Sequence, residues 1–203
     1  MSNKWETSRL EALWSGNFGD DYVVRNRGLQ GRALFWDMII AKTGCSSILE
    51  VGCNVGANLG CLSSYISPRR MYGVDINLKA LSELKETLWG INAVCSRARK
   101  LPFRDEAFEL TFTTGVLIHQ SRRSLPHVMD ELVRCSAKWI LCGEYYAEQL
   151  TEVEYRGHTG ALFKQDYGQL YLELFPDLKM VDKGFLSRAN GGWDDVTWWL
   201  FER

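Results

Sequence analysis

The feature that most limits the possible folds of this chain is an alternation of strand-like and helix-like segments through its middle. It starts at Ser47-Ile48-Leu49-Glu50-Val51-Gly52, a short β-branched run that a glycine stops, which is typical of a buried strand. A helical pattern follows, and strands and helices then alternate as far as Cys142. Alternation at this spacing is typical of βαβ units, so the sequence predicts a doubly wound α/β sheet with mostly parallel strands.

Periodicity, glycine and proline place the individual elements along this stretch. The helices are expected over 31–43, 57–65, 78–89 and 126–134, and the strands over 47–52, 70–75, 93–95, 108–113 and 138–142. Apolar faces are expected on the first and third helices, formed by Leu34, Phe35, Met38 and Ile39 and by Leu81, Leu84, Leu88 and Trp89.

The two ends of the chain lack this pattern. The first 35 or so residues are rich in aromatic residues and read as irregular. In the tail, two strand-like runs over 178–186 and 196–201 flank Ala189-Asn190-Gly191-Gly192. That arrangement predicts a hairpin, and therefore an antiparallel strand pair at the C-terminal edge of the sheet.

Composition excludes several classes of protein. Of the 203 residues 46% are hydrophobic, which is enough for a core without a disulfide or metal. The 24 Lys and Arg residues against 25 Asp and Glu argue against a partner that is a nucleic acid or an anionic membrane. No apolar run is long enough for a transmembrane helix, and Met1–Glu6 lacks the apolar core of a signal peptide. We therefore expect a cytoplasmic protein whose six cysteines, none in a C-x-x-C spacing, are reduced and bind no metal.

The first strand end carries the main candidate binding motif, Glu50-Val51-Gly52-Cys53-Asn54-Val55-Gly56-Ala57-Asn58. Open parallel sheets bind ligands beyond such ends, and glycines at 52 and 56 let the backbone approach a ligand closely. The dinucleotide fingerprint would need a glycine where Asn54 stands. The string E-x-G-x-x-x-G instead resembles the first motif of the Rossmann-like S-adenosylmethionine-dependent methyltransferases, which implies S-adenosylmethionine as the cofactor.

Two further strand ends fit that resemblance. Asp75 follows Gly56 by 19 residues and is expected to accept hydrogen bonds from the ribose hydroxyls, with Ile76 against the adenine. Ser96 follows the third strand, where such methyltransferases often carry Asp. The expected cofactor-binding residues are Glu50, Gly52, Cys53, Asn54, Gly56, Asn58, Asp75, Ile76, Ser96, Arg97 and Gly115.

One family resembles nearly the whole chain, from about residue 13 to 201. The matching strings lie at 13–22 with Arg25-Asn26, 49–56, 114–119, 143–146, 155–158 and 195–199. They are similar to the small methyltransferases found with pseudaminic acid biosynthesis, a bacterial nonulosonic (sialic-acid-like) sugar pathway. The resemblance implies that the acceptor is a sugar of this type, its nucleotide conjugate or a related surface-glycan precursor.

The chain is expected to be a single methyltransferase domain over 1–203, acting as a monomer or homodimer. Within it, 1–43 would form an N-terminal lid or helical segment and 44–145 the cofactor-binding core. Residues 146–203 would supply an acceptor-side loop, a helix and the C-terminal hairpin.

Candidate catalytic residues follow the fourth and fifth strands, because methyl transfer needs a positioned nucleophile and, for a hydroxyl, a group that takes its proton. His119 is a candidate base, since imidazole titrates near neutral pH. Glu144 and His158 are the other catalytic candidates. A histidine base favours a hydroxyl acceptor, whereas Glu144 with its neighbouring tyrosines would suit a nitrogen.

The candidate acceptor-binding residues come from the N-terminal segment and from the region after the fifth strand. The segment 155–158 has no periodic pattern and reads as a loop over the site, in which Arg156 would bind a carboxylate or phosphate of the acceptor. The N-terminal aromatic residues are expected to fold over the cofactor as a lid. The full set is Trp14, Phe18, Tyr22, Arg25, Asn26, Tyr145, Tyr146, Tyr155 and Arg156.

Other functions stay open at this point. The acceptor could be another small metabolite or a peptide, and the chain could be a non-catalytic protein that binds S-adenosylmethionine. A nucleotide-sugar dehydrogenase is disfavoured by Asn54 in place of the second fingerprint glycine.

Overall fold

The computed structural model describes residues 3–26, 31–190 and 192–203. Its strands are β1 (Ile48–Val51), β2 (Met71–Asp75), β3 (Asn92–Cys95), β4 (Phe108–Thr114), β5 (Ser136–Glu144), β6 (Thr151–Tyr155), β7 (His158–Lys164), β8 (Lys179–Leu186) and β9 (Val196–Glu202). Its α-helices are α1 (Asn3–Ser15), α2 (Asn17–Arg25), α3 (Ala33–Thr43), α4 (Ala57–Leu62), α5 (Leu78–Thr87), α6 (Leu125–Cys135) and α7 (Tyr167–Leu174).

Seven strands form one sheet in the order β3-β2-β1-β4-β5-β9-β8, and β6 and β7 form a separate hairpin. Strands β1 to β5 pair in parallel, whereas β9 runs antiparallel between β5 and β8. The predicted doubly wound α/β sheet with an antiparallel C-terminal strand pair is therefore confirmed. The strand order reverses between β1 and β4, and sheets of this kind bind ligands in the crevice at that point.

Helices cover both faces of the sheet, which is why β1 is buried along its whole length. One hydrophobic cluster joins α3, α4 and α5 to the side chain of Ile48, and a second joins α6 and α7 to that of Leu49. Neighbouring residues of a strand point to opposite faces, so these two clusters are the two layers of core.

The apolar face predicted for α3 is partly wrong. Phe35 and Ile39 are buried as expected, but Leu34 is 83% exposed and Met38 is 37% exposed. The helix instead turns Trp36 fully inward. A large aromatic ring gains most from burial, and this orientation leaves Leu34 and Met38 in water.

The predicted end of α5 is also wrong. Leu81 and Leu84 are buried as expected, but the helix ends at Thr87 and Trp89 is 88% exposed. The C-cap is Leu88, whose φ of −122° and ψ of 86° lie outside the helical region, and its N–H still donates to the Leu84 carbonyl. The apolar pattern therefore continued past the point where the backbone leaves the helix.

The N-terminal segment is helical, and the expectation of irregular structure was wrong. Helices α1 and α2 meet at Ser15–Gly16, and α2 then brings Gly19 against the end of α1. A Cβ atom at Gly19 would lie 1.8 Å from the carbonyl oxygen of Trp14. Glycine is therefore required there for the two helices to pack.

The prediction that segment 155–158 is a loop over the site was also wrong. The segment is the tight turn of the β6–β7 hairpin. Tyr155 pairs with His158 across the turn, and Arg156 and Gly157 have φ of 52° and 80°. Two positive φ angles in a two-residue turn suit the twist of a tight hairpin. The signal was hidden because Arg rather than Asn or Gly stands first in the turn.

The C-terminal hairpin of β8 and β9 has the predicted antiparallel pairing, although Gly191 of its predicted turn lies outside the described residues. Among the described helices, none combines the length and the apolar character needed to span a bilayer. The described residues also contain no group of three or more potential metal ligands.

Candidate active site

A cavity of about 1240 Å³, including the part open to solvent, lies at the carboxyl ends of β1, β2 and β4. The loops after β1, β2, β3 and β4 form its floor, and α1 and α2 form its roof. We call residues 3–26, which hold these two helices, the cover.

The turn from β1 to α4 needs three residues with positive φ. Gly52, Asn54 and Gly56 have φ of +79°, +47° and +82°. Asn54 stands where the dinucleotide fingerprint has glycine, and asparagine tolerates the left-handed region better than most residues. A Cβ atom at Gly52 would lie 2.2 Å from Cγ2 of Val116, so glycine also lets the loop after β4 approach.

Glu50 is buried in the cavity wall at the end of β1 and is held by one amide. Its Oε1 accepts a hydrogen bond from Nδ2 of Asn58 at 2.7 Å. The amide oxygen of Asn58 in turn accepts from NH1 of Arg32 at 2.8 Å. Burial raises the pKa of Glu50 to about 8, and the Asn58 hydrogen bond and the Arg32 charge oppose that rise. Glu50 Oε2 is buried and has no hydrogen-bond partner among the described residues.

Asp75 ends β2 and binds two backbone amides. Its Oδ2 accepts from the N–H of Asn54 at 2.9 Å and its Oδ1 from the N–H of Asn77 at 2.8 Å. Burial raises the pKa of Asp75, and these backbone hydrogen bonds oppose the rise. The carboxylate thus joins the turn after β1 to the turn after β2.

The remaining cofactor candidates surround these two carboxylates. Ser96 donates from its N–H to the Asp75 carbonyl at 3.1 Å, and Arg97 forms an ion pair with Glu11 of the cover at 3.0 Å. Gly56 does not line the cavity, because a Cβ atom there would lie 2.7 Å from Cδ1 of Leu88 on the side of α5. The candidates that line the cavity are Glu50, Gly52, Cys53, Asn54, Asn58, Asp75, Ile76, Ser96, Arg97 and Gly115.

His119 lines the cavity beneath the Trp14 ring of the cover, and the position of its ring proton is defined. Its Nδ1 lies 2.6 Å from the carbonyl oxygen of Ala161, which can only accept, so Nδ1 carries the proton. Burial lowers the pKa of His119 to about 4, against the effect of that hydrogen bond. The imidazole is therefore neutral at physiological pH and its Nε2 holds a free lone pair.

Glu144 is fully buried behind this site and does not line the cavity. Its Oε1 accepts from the backbone N–H groups of Val116 and Leu117 at 3.1 and 3.0 Å, and Oε2 from that of Ile118 at 3.3 Å. Burial raises the pKa of Glu144 to about 7, and these hydrogen bonds oppose the rise. The structure therefore places Glu144 beneath the turn that carries His119 and not in the cavity wall.

The cover brings some of the predicted acceptor residues to the cavity. Trp14, Tyr22 and Asn26 line it, and the Trp14 ring lies 4.5 Å from that of His119. Tyr155 of the β6–β7 hairpin packs on the same histidine, at 5.1 Å between ring centroids.

Phe18, Arg25 and His158 form an outer layer and do not line the cavity. The Phe18 ring contacts that of His158 at 5.0 Å, and Arg25 lies over Phe18 at 5.7 Å. Because His158 meets an aromatic ring here, the structure does not place it as a base toward the cavity.

The other predicted acceptor residues also lie outside the cavity wall. The Tyr145 hydroxyl donates to Asp194 at 2.8 Å, and Tyr146 is 46% exposed. Arg156 is exposed at the tip of the hairpin, with its guanidinium 5.9 Å from the Tyr155 ring. The structure thus does not bring Arg156 to a position from which it contacts an acceptor in the cavity.

Sequence reasoning missed Arg32, Glu11 and Asn77 as residues of this wall. Asn77 was detectable, because asparagine before Leu78 is a strong helix N-cap signal at a strand end. Arg32 and Glu11 carried no local signal, since only the folded chain brings them to the cavity.

Comparisons with known proteins agree with this architecture. Residues 48–138 match the methyltransferase domain family. The chain is 31% identical over 70 residues to a malonyl-[acyl-carrier protein] O-methyltransferase from Marinomonas sp. (strain MWYL1), and the match covers 33% of this chain. It spans only about a quarter of that relative, 26% of its length.

Two solved structures share the whole fold. The Burkholderia thailandensis 1,6-didemethyltoxoflavin-N1-methyltransferase, bound to 1,6-didemethyltoxoflavin and S-adenosylhomocysteine, superposes with a TM-score of 0.75 at 11% identity, over 100% of this chain and 91% of that one. Magnesium protoporphyrin IX methyltransferase from Synechocystis PCC 6803 gives 0.67 at 12% identity, over 98% and 97% of the two chains. The fold is that of S-adenosylmethionine-dependent methyltransferases.

Proposed function

We propose that this chain is an S-adenosylmethionine-dependent methyltransferase acting on a small-molecule acceptor. The observation that carries the proposal is the pairing of two carboxylates, buried Glu50 and half-buried Asp75, at the ends of adjacent parallel strands and on one cavity. Both lie inside the segment that matches the methyltransferase domain family.

The residues at this end of the cavity fit the cofactor. The methionine part of the cofactor carries an ammonium and a carboxylate. Buried Glu50 Oε2 lacks a hydrogen-bond partner among the described residues, and Arg32 is linked to Glu50 through Asn58, which hydrogen-bonds to both. Asp75 accepts one backbone N–H on each oxygen, which leaves lone pairs for two ribose hydroxyls. Glu50 and Arg32 would thus hold the amino-acid group, and Asp75 the ribose.

When bound, S-adenosylmethionine supplies a methyl group on a sulfonium, which is a strong electrophile. The chain's own task is then to place the acceptor and take its proton. His119 Nε2 is the available group, because Nδ1 is committed to Ala161. A pKa near 4 makes His119 a weak base, but an oxygen that gains a methyl group becomes strongly acidic and gives up its proton readily. This arrangement favours a hydroxyl acceptor.

For the acceptor we propose a sugar of the nonulosonic type, its nucleotide conjugate or a related glycan precursor. The support is the resemblance along residues 13–201, which includes residues 13–26 of the cover and the hairpin as well as the cofactor motifs. A carboxylate acceptor is the second candidate, favoured by the match to an O-methyltransferase over 70 residues. Non-catalytic binding of the cofactor is the third.

The first experiment is calorimetric titration with S-adenosylmethionine, S-adenosylhomocysteine and NAD. We expect both adenosyl compounds to bind and NAD not to bind, with affinity lost in Asp75→Ala and kept in Asp177→Ala, an exposed control. Absence of adenosyl binding, or unchanged affinity in Asp75→Ala, would reject the proposed cofactor site.

The second experiment measures methyl transfer to nonulosonic acids and their nucleotide conjugates in the wild type and His119→Ala. We expect turnover to fall at least about a hundredfold in the variant while S-adenosylhomocysteine affinity is kept. Turnover close to wild type would remove His119 as the base.

A further inference from the structure

Asn77 is a buried residue that contacts both the floor of the cavity and the cover. Its backbone N–H donates to Asp75 Oδ1 at 2.8 Å, and its side-chain Oδ1 accepts from the N–H of Ala80 at 2.9 Å. The second contact caps the first turn of α5. These two contacts fix the whole residue relative to the end of β2.

The remaining polar atom of this side chain binds the cover. Nδ2 donates to the carbonyl oxygen of Trp14 at 3.1 Å and to Oδ1 of Asp20 at 2.9 Å. Trp14 belongs to α1 and Asp20 to α2, so one amide group holds the junction of the two helices. Gly19 makes this approach possible, because a Cβ atom there would lie 2.8 Å from the same Nδ2.

Among the other polar contacts of the cover, the hydrogen bond between the Thr7 and Ser121 hydroxyls at 2.7 Å is also partly buried, but the ion pairs are more exposed. Glu11 pairs with Arg97 and Arg99, whose side chains are 61% and 38% exposed. Exposed ion pairs contribute little and are screened by salt. Asn77 is only 4% exposed, so its hydrogen bonds to the cover form in a drier environment.

A continuous path therefore runs from the cofactor end to the acceptor end. Asp75 binds Asn77, Asn77 binds the main chain of Trp14, and the ring of Trp14 lies 4.5 Å from that of His119. We propose that Asn77 is a positioning residue that couples occupation of the Asp75 site to closure of the cover over His119. This inference rests on the proposed function, because it takes Asp75 to be the cofactor's ribose ligand.

The coupling has a reciprocal consequence. If the closed cover strengthens cofactor binding, then the bound cofactor must protect the cover by the same factor. The cover also roofs the cavity, so its two helices lie over a molecule bound on the floor. Loosening the Asn77 contacts should therefore speed release of the ligand.

Three variants separate this role from helix capping. Asn77→Ser keeps a good N-cap residue and the backbone N–H, but its short side chain reaches neither Trp14 nor Asp20. Asp20→Ala removes one of the two acceptors on the cover and leaves the α5 cap intact. Asp21→Ala, an exposed neighbour on the same helix, is the matched control.

The test measures the dissociation rate of S-adenosylhomocysteine and, in parallel, hydrogen exchange of the backbone amides in residues 3–26. In the wild type we expect the ligand to slow exchange across the cover. In Asn77→Ser we expect dissociation about tenfold faster, as for the loss of about 1.4 kcal/mol, with the cover exchanging fast even when ligand is bound. Asp20→Ala should change both readouts in the same direction but less, and Asp21→Ala should change neither.

Dissociation and exchange rates equal to those of the wild type in both Asn77→Ser and Asp20→Ala would overturn the proposal. So would hydrogen exchange in the wild-type cover that is unchanged by the ligand. Those results need a protein that binds S-adenosylhomocysteine, so they leave the proposed function standing. Failure of the wild type to bind the ligand at all would instead reject the proposed function, and the coupling with it. If Asn77→Ser melts at a lower temperature, Asp20→Ala gives the decisive comparison.

Discussion

Glu50 is expected to release a proton when the cofactor binds. Its carboxyl has a pKa of about 8 in the free protein because it is buried with a single amide partner. An ammonium group placed beside Oε2 would stabilise the ionised form and lower that pKa. In the complex, the Glu50 carboxylate and the cofactor's amino group would together carry one titratable proton, on the ammonium.

The size of the effect follows from the two ordinary titrations. At pH 7 a group with a pKa of about 8 is about 90% protonated, and a free α-amino group with a pKa of about 7.8 is about 86% protonated. Binding should therefore release about 0.8 proton at pH 7 and close to none at pH 8, where the two free groups together carry about one proton.

The assay is isothermal titration of S-adenosylmethionine in two buffers of different ionisation enthalpy at each pH. Glu50→Gln should abolish the release at pH 7 and weaken binding, whereas Glu148→Gln, an exposed carboxyl outside the cavity wall, should leave both unchanged. Equal heats in the two buffers at pH 7 for the wild type, or an undiminished release in Glu50→Gln, would refute the assignment of Glu50 to the ammonium.

Two further predictions concern stability. The folded-state pKa of Glu50 lies above its unfolded value of about 4.3, so between these two values the native state binds more protons than the unfolded state. The free energy of unfolding therefore falls as pH rises from about 4.3 to 8. Chemical denaturation of Glu50→Gln should show less of this fall; an unchanged pH profile would show that Glu50 is ionised without penalty. Gly52→Ala should destabilise the fold by about 1–3 kcal/mol and abolish S-adenosylhomocysteine binding, because its Cβ would lie 2.2 Å from Val116. Gly44→Ala, at a similar positive φ of +59° but with no atom within 4 Å, should cost less in thermal melting and keep binding, and equal losses in the two variants would contradict the steric argument.

The sequence predicted the floor of the cavity better than its roof. Glu50, Gly52 and Asp75 lie at the carboxyl ends of two short apolar strands. A parallel sheet brings the carboxyl ends of its strands to the same edge, independently of the other elements of the chain. The cover had no comparable signal, because α1 has its aromatic and polar residues mixed around the helix and gains its position from contacts with Asn77 and the hairpin.

The acceptor candidates show the same limit. His119 was found because it follows a strand end, but the role of Glu144 depends on three backbone amides that only the folded turn presents. Arg156 was assigned to a loop because the turn residues of the hairpin are unusual. Chemistry that depends on the orientation of a side chain was therefore the least predictable part.

The cavity is assembled from stretches of chain that lie far apart in sequence. Its floor comes from residues 50–124, whereas the cover is 3–26 and the hairpin packed on the cover is 151–164. Trp14 and Tyr155, one from each outer stretch, meet on His119. A chimaera that takes both outer stretches from a relative would exchange the acceptor wall as a matched pair and keep the cofactor floor, whereas exchanging one alone would break their shared contacts. On the proposed function, exchange of the matched pair should change acceptor preference and leave cofactor binding unchanged.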